Sequence, residues 1–152
     1  MNRKLPVWAA IAFLLLGVLV WAPSLWRALP HHSEQPTTIK GMEETFRDAM
    51  KEAIAISQKP DASERMLQWV ATKLKTPADP LRQEATDLKL TVPELYYAHR
   101  LQERANSPVP MDEVLNLYKM DNDWYNAGNR RGAFPYSFVN DLNEMIKAGI
   151  GA

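Results

Sequence analysis

Two hydrophobic patterns divide this chain. From Leu5 to Trp26 no side chain is charged, whereas from Ile39 onward apolar residues recur at steps of three and four among polar neighbours. At about 1.5 Å per helical residue the first stretch is roughly 33 Å long, enough to cross the hydrocarbon core of a bilayer. The second pattern is that of helices burying one stripe each against a core.

Punctuation along the second region sets the helix limits. Met42, Phe46, Met50, Ala53 and Ile56 predict a helix from about Ile39 to Gln58, stopped by Lys59-Pro60. Asp61 with Glu64 predicts a capping box for a second helix bearing Met66, Trp69, Val70 and Leu74. After Thr76-Pro77, Asp79 as N-cap and Pro80 at the first helical position predict a third, through Leu81, Ala85 and Leu88. Thr91-Val92-Pro93-Glu94 is the clearest start in the chain and predicts a fourth helix to about Ala105, with Leu95, Ala98 and Leu101 on its apolar face and Tyr96 or Tyr97 extending it. Met111, Val114, Leu115 and Tyr118 mark a fifth. Asp123 caps a short helix with Trp124 and Ala127, ended by a left-handed Gly132. A last helix runs near Tyr136 to Ala148, with Gly149 as its stop. No alternating strand pattern competes, so the expected class is all-α, with six or seven short helices.

The flanks of the apolar run decide how it is used. Arg3 and Lys4 precede it, and a cleaved signal peptide would need a shorter apolar core and a small-x-small exit. The best exit here, Val20-Trp21-Ala22, is followed by Pro23. Trp8, Trp21 and Trp26 fall at the two headgroup levels that indole rings favour, which predicts an uncleaved signal anchor. The basic excess at Arg3 and Lys4 places the amino terminus in the cytoplasm and the rest outside it, in the inner membrane and periplasm if the cell has two membranes. The expected organisation is a cytoplasmic n-region over 1–4, a transmembrane anchor over 5–26, a linker over 27–38 and an extracytoplasmic helical domain over 39–152.

Charge and composition exclude more than they identify. The neutral total hides a domain in which 8 Lys and 7 Arg after residue 30 face all 18 acidic residues, a net −3 that disfavours nucleic acid as a partner. Absence of cysteine excludes disulfides and thiolate metal sites. Asp121-Asn122-Asp123 opens like a calcium loop, but Asn126 stands where the turn needs Gly and Gly132 where a bidentate Glu belongs, so Asp123 reads as a helix cap. His31 and His32 lie in the tether far from His99, which reads as a half-buried hydrogen-bonding group. Glu43-Glu44, Glu94 and Asp112-Glu113 sit at helix starts or exposed faces, where carboxylates favour the dipole without chemistry. No nucleophile elbow or phosphate loop is present, so neither catalytic residues, cofactor nor metal are expected. One cluster suits a protein contact: Trp124, Tyr125, Arg130, Arg131 and Tyr136, near Phe134, combine aromatic and arginine side chains as interfaces do; the competing reading makes the aromatics core.

The segment Glu94-Leu95-Tyr96-Tyr97-Ala98, then Glu113-Val114-Leu115-Asn116-Leu117-Tyr118, then Trp124 with Gly132, resembles a pattern of uncharacterised exported bacterial helical proteins over Thr91–Ala152. In that pattern Gly usually follows the Trp; Tyr125 does here. The resemblance implies an extracytoplasmic helical module and carries no activity. Together the observations lead to an expectation of a membrane-anchored, non-catalytic protein-interaction module, an accessory or assembly component of a cell-envelope complex with another envelope protein as partner. A regulator with a cytoplasmic helix-turn-helix over Met111–Gly132, or a hydrolase of an envelope polymer using Glu94, Asp112 and Glu113, are the alternatives.

Overall fold

The computed structural model describes residues 38–103 and 108–151. The predicted anchor with Trp8, Trp21 and Trp26, and the histidines His31 and His32, lie outside the described residues. Among those described, the chain is all-helical without strands, and no helix is long and apolar enough to cross a membrane. Seven helices follow one another: α1 (Ile39–Ser57), α2 (Pro60–Leu74), α3 (Ala78–Leu88), α4 (Val92–Glu103), α5 (Met111–Asp121), α6 (Trp124–Arg130) and α7 (Val139–Ile150), with a 3-10 turn at Pro135–Phe138 before the last.

These limits follow the sequence pattern closely, but several ends are made differently. Thr38 caps α1 by accepting from the Gly41 N–H. No capping box forms at α2: Pro60, which has no N–H to satisfy, begins the helix after Lys59, and Glu64 turns instead to Gln68 at 2.9 Å and to Arg82 of α3 at 2.9 and 3.0 Å. Asp79 is likewise not the cap of α3, which starts two residues earlier than expected, at Ala78 behind Pro77; its carboxylate pairs with Arg82. The neighbouring guanidinium and amide hold the Glu64 carboxyl below its ordinary value, Gln68 first and Arg82 next. α7 does not stop at Gly149. That residue is buried inside the helix, where a Cβ would meet Ile56 at 2.9 Å and Met66 at 3.0 Å, and the left-handed stop is Gly151 at φ 77°. The α7 carbonyl left open near this end, that of Gly149, accepts both Nε and Nη2 of Arg65 from α2.

Packing is organised around α4. Val92, Pro93, Leu95, Tyr96, Tyr97, Ala98 and Leu101 are all buried, so this helix is apolar around most of its circumference and must be enclosed. α1 and α2 each pack on α4, and both pack on α7. Both tyrosines therefore belong to the core, on opposite flanks. Tyr96 meets the Trp69 ring edge-on at 5.2 Å and donates to Asp141 of α7 at 2.6 Å. Tyr97 meets Phe46 of α1 at 5.1 Å, Phe138 at 5.0 Å and Trp124 of α6 at 5.9 Å, with 0 % of its surface exposed. Its hydroxyl leaves so little room that a Cβ on Gly128 of α6 would lie 2.2 Å away.

Two outcomes test this arrangement. Gly128→Ala gains about 1 kcal/mol of helix propensity but overpacks a site that cannot yield, at about 1–3 kcal/mol, so denaturant unfolding should show a net loss of stability with an unchanged slope. Burial first, and then the Asp141 carboxylate, push the Tyr96 hydroxyl above its ordinary value. That stability is full below about pH 10, where an unfolded tyrosine is still neutral, and is lost as pH rises beyond it. Tyr96→Phe should therefore flatten the fall in stability measured as pH is raised from about 10 upward.

Candidate functional site

The reversal between α5 and α6 builds the most chemically varied surface of the domain. Asn122 ends α5 in a left-handed conformation at φ 49°, and Asp123 caps α6 by accepting from the N–H groups of Tyr125 at 2.7 Å and Asn126 at 3.2 Å. This tight turn lays Tyr118 of α5 on Trp124 of α6, centroids 4.3 Å apart and planes 17° from parallel. Beneath the pair, Glu94 at the start of α4 accepts the Trp124 indole N–H at 3.1 Å on one oxygen. On the other it accepts the backbone N–H and hydroxyl of Thr91 at 2.8 and 2.7 Å. One carboxylate thus closes a helix start and fixes an indole.

The facing wall is α1. Arg47, Met50, Lys51 and Ile54, at steps of three, one and three, run along it over about two turns and face a groove of about 300 Å³ floored by Phe46, Glu94 and Tyr125. Arg47 binds Glu43 one turn back at 2.8 Å, pairs with Asp123 across the groove, and lies 5.4 Å from the centre of the Tyr125 ring. Burial, and then the Glu94 carboxylate, push the Tyr118 hydroxyl above its ordinary value.

Of the five residues expected to form a contact patch, only Trp124 and Tyr125 line this groove, and they are 5 % and 7 % exposed. They are core side chains that present an edge, not an exposed aromatic patch. Arg130 lies outside the groove, bound to Asp121 at 2.9 Å. Arg131 is half-buried at the end of α6, and Tyr136 is half-buried against the ring of Phe134, which is itself 52 % exposed. The would-be recognition helix of a helix-turn-helix, α6, buries Trp124, Tyr125, Ala127 and Gly128, so most of its surface is turned inward.

Carboxylates weighed for catalysis are also placed. Glu94 has its oxygens occupied as above, and Asp112 and Glu113 are exposed in the first turn of α5. Asp121 and Asp123 hold Arg130 and Arg47, and His99 joins Glu84 of α3 at 2.9 Å. Among the described residues no three His, Cys, Asp or Glu side chains are placed to hold a metal ion.

The sequence pattern did not single out Arg47, Lys51 and Tyr118, which line the groove with Trp124. A signal existed in the helical period: residues 47, 51 and 54 form a row beside the core stripe of α1, two charged and one apolar, as a groove wall needs. Glu94→Gln should cost about 1–2 kcal/mol in chemical denaturation, because an amide offers one acceptor oxygen where the carboxylate serves three donors. It should also change the intrinsic fluorescence of the native state by freeing the Trp124 indole. Comparison with family models, with curated proteins and with solved structures returned no match.

Proposed function

We propose that this chain is a membrane-tethered, non-catalytic interaction module, anchored by residues 5–26 with its amino terminus in the cytoplasm. Its helical domain stands outside the cytoplasm and serves as an accessory or assembly component of an envelope complex. The supporting observation is the makeup of the groove between α1 and α5: aromatic and apolar side chains line it beside Arg47, Lys51 and Asn122, while both lining carboxylates, Glu94 and Asp123, are engaged by donors from within the fold. Such a surface recognises shape and apolar area, and its carboxylates are spent on holding that shape. The uncharged run behind basic residues, and the likeness of Thr91–Ala152 to exported helical proteins, agree with a domain presented beyond the membrane.

Reporter fusions after Ala152, active on only one side of the membrane, test the placement together with the mass of the membrane-bound product. An external reporter on a full-length chain is expected. A cytoplasmic reporter, or a shortened soluble product, overturns the anchored arrangement.

A further inference from the structure

We draw no further inference here: the strongest candidate, the groove between α1 and α5 lined by Met50, Ile54, Tyr118 and Trp124, belongs to the site already described, and nothing in the structure shows what covers it.

Discussion

The enclosure of Tyr97 governs the rest of the domain. A phenol ring with no exposed surface must be surrounded by other side chains, and here the neighbours come from far apart in the chain: Phe46 of α1, Trp124 of α6 and Phe138 of the 3-10 turn. Removal of such a ring from water contributes on the order of 1.5–3 kcal/mol, and each well-oriented ring pair about 0.5–1.5 kcal/mol more. Those gains exceed anything the exposed ion pairs supply, and they hold α4 against α1, α2 and α5. Gly128 is the local condition for this arrangement, since only a residue without Cβ lets α6 come close enough for Trp124 to reach the ring.

Polar groups act mainly where helices end. Arg65 satisfies the Gly149 carbonyl near the end of α7, Asp123 caps α6 and draws in Arg47, and Glu94 closes the start of α4 and holds the Trp124 indole. Each such group joins a local helix end to a distant helix. The pairs on the surface, Lys73 with Glu144 and Arg82 with Glu64, are solvated and contribute little to stability, though they sit where α2 meets α7 and α3.

That double use of caps shapes the groove. Its walls are helices already held by the core, and its carboxylates are fixed by backbone and indole donors, so a partner would meet a surface that needs little ordering on binding. α5 is the exception. It rests on α4 and α6 and keeps only Val114 fully buried, with Met111, Leu115, Leu117 and Tyr118 partly buried against the core and Met120 exposed.

Periodicity and stop residues determined the helices themselves. Pro60, Pro77 and the Thr91-to-Glu94 start act through local sterics and local hydrogen bonds, so the class, the order and nearly every limit of the helices were legible. So were the Asp123 cap and the left-handed Gly132, where the Gly132 N–H donates to Asn129 and the Ala133 N–H to Gly128 within a short span of chain. What failed to be legible depended on partners distant in sequence. Glu64 and Asp79 had the right spacing to cap, yet Arg82 offered each a charged partner; Gly149 looked like a stop, yet Ile56 and Met66 needed its missing side chain. Trp124 and Tyr125 carried the composition of an interface, but only the position of α4 and α1 decided that their rings face inward and lend an edge to a groove. Sequence alone fixes what a segment can do with its own backbone; which side chains remain for a partner is settled only when the helices meet, because burial is a property of the assembled surfaces.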